Sequence, residues 1–268
     1  MSGDVAALRA LVREFPSALL GYSGGVDSVF LAVVLRQELG RERMLAVTGQ
    51  SASYPAAQSD AAQAVARQYD IPVAALATHE LEDERYLANP TNRCFFCKEE
   101  LWTRLGDEAR RRGIAVVCDG TNADDLREHR PGRAAGIARG VRSPLAEVGM
   151  TKQHVRTASL ALGLPTWDAP AAPCLSSRVE YGLRITPRRL RQVEDAESFL
   201  RALGVTGDLR VRHHGERARI EAEARWVPWL DARTEEIGVR FRELGFDTVE
   251  IDPRGYRRGS LILDRGTR

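Results

Sequence analysis

The chain has 268 residues, of which 43% are hydrophobic and 28% charged, and its formal net charge at pH 7 is +2. This composition is typical of a soluble globular enzyme with one large domain or two smaller ones. The small net charge argues against bulk nucleic-acid binding, and no apolar run is long enough to span a bilayer. The N-terminus lacks the pattern of a secretory signal, which favours the cytoplasm. The four cysteines are therefore expected to be catalytic or metal-binding rather than disulfide-bonded.

The first half of the sequence alternates short apolar segments with helical patterns. Predicted strands lie at 18–22, 44–48, 72–76 and 114–118, and predicted helices at 29–35, 56–69, 98–112 and 151–162. Thr151 is the predicted N-cap of the last helix. This alternation predicts an α/β fold with a doubly wound, mostly parallel sheet, whose sites lie at the carboxyl ends of the strands.

The second half of the sequence has a different order of predicted helices and strands. Its pattern predicts a helix at 186–203, strands at 209–213 and 217–221, a helix at 232–244 and a strand at 248–251. This order indicates a small antiparallel α+β domain. A proline-rich stretch at 168–173 marks the boundary, so we predict two domains, at 1–170 and 171–268.

The hexapeptide Ser-Gly-Gly-Val-Asp-Ser that begins at Ser23 lies between the first predicted strand and helix. Glycines let backbone N–H groups approach phosphate oxygens, and the helix dipole favours negative charge. The hexapeptide is not the Walker pattern; it resembles the PP-loop of ATP pyrophosphatases, which cleave ATP to AMP and pyrophosphate. That resemblance implies that Ser23, Gly24, Gly25 and Ser28 cradle pyrophosphate and that Asp27 helps to hold Mg²⁺. The alternative is a capped glycine turn.

A second candidate phosphate site is Asp-Gly-Thr-Asn-Ala-Asp-Asp at 119–125, directly after the fourth predicted strand. Carboxylate and amide oxygens suit a Mg²⁺ ion that bridges ATP oxygens, although an acidic turn that caps a helix is the alternative. The candidate nucleotide contacts are Gly120, Thr121, Asn122 and Asp124, and Asp125 is a candidate metal ligand. Downstream, the segment 130–136 is predicted to be a loop, either mobile and in contact with phosphates or simply solvated.

The four cysteines also bear on the function. Cys94 and Cys97 make a CxxC segment with no second CxxC for a structural zinc site and without thioredoxin-like flanks. Cys174 stands in Pro-Cys-Leu-Ser-Ser-Arg, where Arg178 is placed to stabilise its thiolate and to hold an anionic substrate. Cys118 ends an apolar strand and is assigned to the core.

The strand Arg-Val-Arg-His-His that begins at Arg210 places Arg210 and Arg212 on one face, because side chains alternate along a strand. Two guanidiniums on one face match a phosphate or paired carboxylates, and Glu221 on the next strand is positioned to orient them. The alternative is ordinary surface charge. His213 and His214 point to opposite faces, which disfavours a shared metal.

Together these motifs, including Asn-Pro…Arg-Cys-x-x-Cys-Lys, resemble the LarE family from about Leu8 to Ile251. Members of this family are ATP-dependent sulfur transferases that help to make the nickel-pincer cofactor of lactate racemase. The resemblance implies that ATP adenylates a carboxylate of pyridinium-3,5-biscarboxylic acid mononucleotide, which then becomes a thiocarboxylate. It also implies a symmetric homo-hexamer. The implied catalytic residues are Cys174, Arg178, Arg210, Arg212 and Glu221, and Thr48, Arg93 and Lys98 join the nucleotide contacts.

The sulfur donor stays open at this point. Family members with one cysteine sacrifice its sulfur and are left with dehydroalanine, whereas members with three are believed to bind an iron–sulfur cluster. Cys94, Cys97 and Cys174 fit the three-cysteine group, in which a [4Fe-4S] cluster with one open iron carries an extra sulfide. The sacrificial route through Cys174 is the alternative, because spacing alone does not show that the three sulfurs converge.

Three other functions are compatible with a PP-loop. A tRNA thiolation enzyme would need a basic RNA-binding surface or module, which the net charge of +2 does not support. An amidating ligase of the NAD or GMP synthetase type would need ammonia but no cysteine trio. A non-enzymatic nucleotide-binding module would release no pyrophosphate in response to a substrate.

Overall fold

The computed structural model describes residues 3–127, 131–170, 173–257 and 259–263. These residues fall into two compact units. The first contains 3–80 and 92–170, and the second contains 81–91, 173–257 and 259–263. The predicted boundary at 170/171 adjoins Ala171 and Ala172, which lie outside the described residues. Residues 81–91 belong to the second unit, which no local pattern in the sequence predicts.

The first unit is built on a four-stranded parallel sheet with strand order β3-β2-β1-β4. The strands are β1 (Ala18–Gly21), β2 (Met44–Gln50), β3 (Val73–Ala77) and β4 (Val116–Cys118). Between consecutive strands the chain returns through helical segments to the side of the sheet at which the strands begin. Parallel pairing requires such connections. The sheet confirms the predicted α/β class, and it brings the ends of β1 and β4 side by side.

The helices of the first unit are α1 (Gly3–Arg13), α2 (Val26–Leu39), α3 (Ala56–Gln68), α5 (Arg93–Arg112), α6 (Pro131–Ala138), α7 (Pro144–Glu147) and α8 (Lys152–Ala161). Residues 29–35 of α2 are all buried, because α2 packs against β1 and β2 and also contacts α1, α3 and α8. An all-round apolar helix is typical of such a central position. Thr151 caps α8 as predicted, with its hydroxyl accepting the N–H of His154 at 3.2 Å.

Two predicted boundaries near α5 were wrong. The helix begins at Arg93 rather than at Lys98, because Phe95 already packs on the buried cluster around Trp102 and the chain turns just before it. The predicted loop at 130–136 is helical from Pro131 to Ala138, and Arg130 lies outside the described residues. A Cβ on Gly132 would lie 2.8 Å from the Lys98 Cγ atom, so α6 approaches α5 closely through a glycine.

The second unit contains a three-stranded sheet with order β5-β6-β7. Its elements are α4 (Glu84–Leu87), α9 (Pro187–Ala202), β5 (Leu209–His214), β6 (Arg217–Ala222), α10 (Val227–Asp231), α11 (Thr234–Glu243), β7 (Thr248–Ile251) and α12 (Ser260–Leu263). β5 and β6 are antiparallel, whereas β7 pairs parallel to β6. The predicted all-antiparallel sheet was therefore wrong at β7, because α10 and α11 carry the chain back before β7 begins.

The two faces of this sheet differ in chemistry. Val211 and Ile220 point into an apolar core that also contains Leu200, Phe241 and Phe246. The opposite face carries Arg210, Arg212, Arg219 and Glu221, all less than 10% exposed. These four charged residues are thus buried rather than solvated. In the part of the chain that is described, no helix is both long and apolar enough to cross a bilayer.

Candidate nucleotide and sulfur-transfer sites

The PP-loop joins the carboxyl end of β1 to the N-terminus of α2. Gly24 has φ +70°, and a Cβ at this position would lie 2.5 Å from the Cβ of Ala62 on α3. Only glycine satisfies both constraints. Gly25 is the N-cap residue of α2 and contributes no side-chain cap, so the N–H groups of the first turn have no intrahelical acceptor. The loop thus has the backbone donors that bind phosphate oxygens.

The loop is fixed by hydrogen bonds within it, from Tyr54 just before α3 and from Gln58 on α3. The Ser28 hydroxyl donates to the Gly25 carbonyl at 3.0 Å and lies 3.2 Å from the Ser23 hydroxyl oxygen. The Ser23 carbonyl accepts the Tyr54 hydroxyl at 2.9 Å and the Gln58 side-chain amide at 3.0 Å. Burial raises the pKa of Tyr54 to about 12, so this phenol keeps its proton at neutral pH. Sequence reasoning missed Tyr54 and Gln58.

The acidic turn after β4 packs directly on the PP-loop helix. A Cβ on Gly120 would lie 2.9 Å from the Ser28 nitrogen, so this glycine allows the close approach. Thr121 donates both its N–H and its hydroxyl to the Asp119 carboxylate, at 3.0 and 2.8 Å. Gly120 and Thr121 therefore lie beside the predicted phosphate cradle, as a shared site requires.

The carboxylates of this turn have different roles. The Asp125 side chain is buried and accepts the Asn122 N–H at 3.1 Å, so it closes the turn itself. The Asp124 carboxylate accepts the N–H of Lys152 at 2.8 Å. Asp125 as a metal ligand stays a prediction, although its contact within the turn matches the alternative of an acidic capping turn.

Asp27 of the PP-loop contacts the acidic turn through Asn122. Its Oδ1 atom accepts the Asn122 side-chain amide at 3.4 Å, and its Oδ2 atom lies 2.6 Å from Nζ of Lys152. A carboxylate supported by an amide, beside N–H groups that are predicted to bind phosphate, fits Mg²⁺, which uses one or two carboxylates together with phosphate oxygens. Lys152 was not predicted from the sequence. A lysine in the first turn of a helix interacts unfavourably with the helix dipole. Its place in the predicted helix is therefore a sequence signal that points to Lys152.

Three other residues were predicted to contact the nucleotide but lie outside both the PP-loop and the acidic turn; they are Thr48, Arg93 and Lys98. The Thr48 hydroxyl is buried and donates to the Tyr22 carbonyl at 3.0 Å, which ties the ends of β1 and β2 together. Arg93 is buried at the start of α5. The Lys98 ammonium lies 5.3 Å from the centroid of the Trp102 ring, and Trp102 itself is buried in the core. Nucleotide contacts by Thr48, Arg93 and Lys98 stay predictions.

The CxxC segment occupies the first turns of α5. Cys94 is exposed and Cys97 is half-buried, and a residue separation of three places both on one side of the helix. Cys118, by contrast, is fully buried at the end of β4. This burial confirms its assignment to the core, and it raises the pKa of the Cys118 thiol well above its usual range, with a further contribution from the Asp119 charge.

In the second unit, Cys174 is the N-cap residue of a short 3₁₀ turn, Leu175–Arg178, and is half-buried. The guanidinium of Arg178 is 4% exposed and makes a two-point ion pair with Glu197, with both N–O distances 3.0 Å. Its Nη1 atom donates to the backbone carbonyl of Cys174 at 3.0 Å. Arg178 thus contacts the backbone of the cysteine turn. Glu197 was not foreseen, because it lies on α9 far along the chain.

Arg210 and Arg212 share a face of β5, as predicted. Arg212 pairs with Glu221 Oε2 through Nε at 2.9 Å and Nη2 at 2.8 Å, and its Nη1 donates to the Ser177 carbonyl at 3.2 Å. Glu221 is fully buried and accepts from Arg212, which confirms the expected contact for one of the two guanidiniums, whereas orientation of Arg210 by Glu221 stays a prediction. Arg210 lies 5.2 Å from the ring centroid of Tyr256. Burial, followed by the charge of Arg178, lowers the pKa of Arg210, so an anion near these guanidiniums is electrostatically favoured.

The two histidines after Arg212 point to opposite faces, as predicted. His213 lies in the core 5.0 Å from the Phe246 ring, and its Nε2 atom is 3.1 Å from Gln192 Oε1. Burial lowers the pKa of His213 to about 4, so it is neutral at pH 7. His214 Nδ1 lies 2.9 Å from Glu180 Oε2. Among the described residues, no group of three or more Cys, His, Asp or Glu side chains is arranged to hold a metal ion.

The parallel sheet, the PP-loop at its edge and the acidic turn beside the loop define the first unit as a nucleotide-binding domain of the PP-loop class. A family model described as NAD synthase matches residues 4–89, which include the loop and the first three strands.

Relatives that align with nearly the whole chain identify the family to which it belongs. An uncharacterized protein of Synechocystis sp. is 43% identical over 95% of this chain and 95% of its own. The pyridinium-3,5-bisthiocarboxylic acid mononucleotide synthase of Lactiplantibacillus plantarum is 32% identical over 96% of this chain and 92% of its own. An uncharacterized protein of Methanocaldococcus jannaschii is 29% identical over 89% of this chain and 90% of its own. The chain belongs to the LarE family of ATP-dependent sulfur-transferring enzymes.

Proposed function

We propose that this protein uses ATP to activate the carboxylates of pyridinium-3,5-biscarboxylic acid mononucleotide and converts them to thiocarboxylates for the nickel-pincer cofactor. The observation that carries the proposal is the cysteine turn of the second unit. Arg178 donates to the Cys174 carbonyl and Arg212 to the Ser177 carbonyl, so the backbone of the cysteine turn is held by two buried guanidiniums. Guanidiniums recognise carboxylate and phosphate, which are the anionic groups of this substrate.

The first step makes the carboxylate reactive. A substrate carboxylate oxygen attacks the α-phosphorus of ATP, the bond from that phosphorus to the bridging oxygen breaks, and pyrophosphate leaves. The N–H groups at the start of α2, with the Ser23 and Ser28 hydroxyls, would bind the leaving pyrophosphate. Asp27, supported by Asn122, would hold Mg²⁺, which when bound offsets the charge that builds on the polyphosphate.

The second step moves sulfur. In the sacrificial route, the Cys174 sulfur attacks the acyl carbon, its proton passes to solvent, and AMP leaves as the carbon–oxygen bond breaks. Removal of the Cys174 Cα proton and cleavage of its Cβ–Sγ bond then leave a thiocarboxylate on the substrate and dehydroalanine in the protein. Each molecule of protein would then act once.

A second sulfur source, which we favour over the sacrificial route, is a [4Fe-4S] cluster on Cys94, Cys97 and Cys174. The CxxC segment fits two ligand positions, because its thiols share one side of α5 close to the positive end of the helix dipole. Cys94, Cys97 and Cys174 would hold such a cluster through three thiolates, and its fourth iron would supply a place for an exogenous sulfide. We further propose, from the family resemblance, a homo-oligomer that works in the cytoplasm without nucleic-acid or membrane partners.

The test of the function is a Cys174→Ala variant assayed with the pyridinium dicarboxylate mononucleotide, Mg²⁺ and ATP. We expect the variant to retain substrate-dependent pyrophosphate release and to form no thiocarboxylate, since adenylation does not use the thiol. Cys118→Ala is the matched control, because this buried thiol lies outside the proposed chemistry and its loss should spare both steps. Absence of substrate-dependent pyrophosphate release in the unaltered protein would contradict the proposed function.

The sulfur donor is decided by protein prepared without oxygen and measured for iron, acid-labile sulfide and visible absorption. We expect the cluster signals in the unaltered protein and their loss in Cys94→Ala, with multiple turnovers when sulfide is supplied. Iron-free protein that transfers sulfur once, while Cys174 loses the mass of hydrogen sulfide, would instead establish the sacrificial route.

A further inference from the structure

Glu80 is a buried carboxyl group that neither the proposed activation step nor the proposed sulfur step uses. It is 3% exposed and lies just after β3. Its Oε1 atom accepts the hydroxyl of Ser53 at 2.8 Å and also the hydroxyl of Ser51, and both serines lie just after the neighbouring strand, β2. Its Oε2 atom is buried and has no hydrogen-bond partner among the described residues. What the Glu80 carboxyl group contributes through hydrogen bonds therefore passes through Oε1 and the two serines.

The two serines belong to a tight turn at 51–54, the serine turn. The Tyr54 N–H donates to the Ser51 carbonyl and the Ser53 N–H donates to the Ser51 hydroxyl oxygen, both at 3.1 Å. These bonds set the shape of the turn, and the carboxyl group of Glu80 sets where the turn lies. Burying a carboxyl oxygen without a partner costs free energy, so a residue kept at this position is expected to have a reason beyond stability.

Tyr54 connects the serine turn to the PP-loop. Its hydroxyl donates to the Ser23 carbonyl at 2.9 Å. The Gln58 side-chain amide donates to the same carbonyl at 3.0 Å, but it does so from α3. Loss of the Tyr54 contact is therefore expected to loosen the loop without unfolding it, because a second donor remains.

We propose that Glu80 is a positioning residue for the PP-loop and that it acts through the serine turn and Tyr54. Glu80 fixes the turn, the turn fixes the Tyr54 hydroxyl, and this hydroxyl fixes the Ser23 carbonyl. Charge builds on the pyrophosphate oxygens only as the bond to the α-phosphorus breaks. Displaced loop N–H groups therefore lose more in the transition state than in bound ATP.

The first test measures the loop itself and does not depend on the reaction. The Ser23 N–H donates to the Ser28 hydroxyl oxygen at 3.3 Å and the Val29 N–H donates to the Gly25 carbonyl at 2.9 Å. Hydrogen exchange of these two amides, read by mass spectrometry, reports how often the loop opens. Tyr54→Phe keeps the ring but removes the hydroxyl, and we expect about tenfold faster exchange because one hydrogen bond is lost.

Glu80→Ala should accelerate the exchange of the same two amides to a similar extent. The variant that combines Glu80→Ala with Tyr54→Phe should exchange no faster than the faster single variant, because both changes break one chain of contacts. Independent roles would instead multiply to about a hundredfold, and that result would overturn the inference. Ser53→Ala removes one of the two hydroxyls and supplies the same comparison if Glu80→Ala does not fold.

Two further variants separate positioning from general stability. Glu80→Gln keeps a carbonyl oxygen for the two serine hydroxyls and should restore most of the slow exchange. Asp60→Ala is the matched control, because it removes an exposed carboxylate from α3, and it should leave the exchange of the loop unchanged. Faster exchange throughout the first unit in Glu80→Ala would mark a purely structural role and would overturn the inference.

The second test is kinetic and rests on the proposed function. With the pyridinium substrate, Mg²⁺ and ATP, Glu80→Ala should lower kcat for pyrophosphate release about tenfold and change KM for ATP by about threefold at most. Glu80→Gln should stay close to the unaltered protein. A raised KM with unchanged kcat would overturn the inference. Absence of pyrophosphate release in the unaltered protein would contradict the proposed function, whereas the exchange measurement would still decide the role of Glu80.

Discussion

Replacing Gly24 with alanine is expected to lower kcat/KM for ATP by about a hundredfold or more. The new Cβ would lie 2.5 Å from the Cβ of Ala62 at a φ of +70°, so the loop or α3 must move. The displaced element is the phosphate cradle, and small misplacements of a binding group at a reacting centre have large kinetic effects. Steady-state pyrophosphate release measures the effect.

Gly140→Ala separates the steric clash from backbone strain. Gly140 has φ +69° but has no neighbour within 4 Å of an added Cβ, so alanine there meets the same conformational cost without a collision. We expect a stability loss of about 1 kcal/mol and near-normal kcat/KM for this control. Equal kinetic losses in the two variants would contradict the proposed contact between the PP-loop and α3.

Replacing Glu221 with alanine is expected to destabilise the second unit by about 3–5 kcal/mol. The carboxylate is fully buried and accepts hydrogen bonds from Arg212, Arg219 and Ser260, with the last two at 3.1 and 2.9 Å. Its removal leaves two mostly buried guanidiniums without their shared counter-charge. Urea denaturation followed by far-ultraviolet circular dichroism measures the change in the free energy of unfolding.

Glu250→Ala is the control for the loss of a carboxylate on the same sheet. Glu250 pairs with Arg217 at 3.2 Å, but the two side chains are 40% and 42% exposed. Such a pair contributes about 1 kcal/mol or less. If both substitutions shifted the denaturation midpoint equally, the buried charge network would not be what stabilises this sheet.

The parts of the fold that could be predicted are those whose signal is local. The Ser-Gly-Gly-Val-Asp-Ser hexapeptide, the apolar strand before it and the Thr151 cap each lie within a few residues of sequence. The alternation of Arg210 and Arg212 is equally local, because it follows from the period of a strand. Family membership then follows from the combination of motifs rather than from any one of them.

The contacts that sequence reasoning missed join distant positions. Lys152 reaches Asp27, Glu197 reaches Arg178, and Tyr54 reaches the Ser23 carbonyl, and in each case a separate element delivers the partner. Periodicity gives the face of an element but not its neighbour in space. The parallel pairing of β7 was missed for the same reason, because strand direction depends on the connection and not on the strand's own residues.

The excursion of residues 81–91 into the second unit has a consequence for how the protein is made. Tyr86 and Leu87 are buried there, and the Asn89 side chain donates to backbone carbonyls of the 179–183 segment. A ribosome releases residues 81–91 long before those partners exist. The nascent first unit must therefore carry an unsatisfied apolar insert until residues 176–185 of the second unit have been synthesised, and a fragment that ends at residue 170 would carry it permanently.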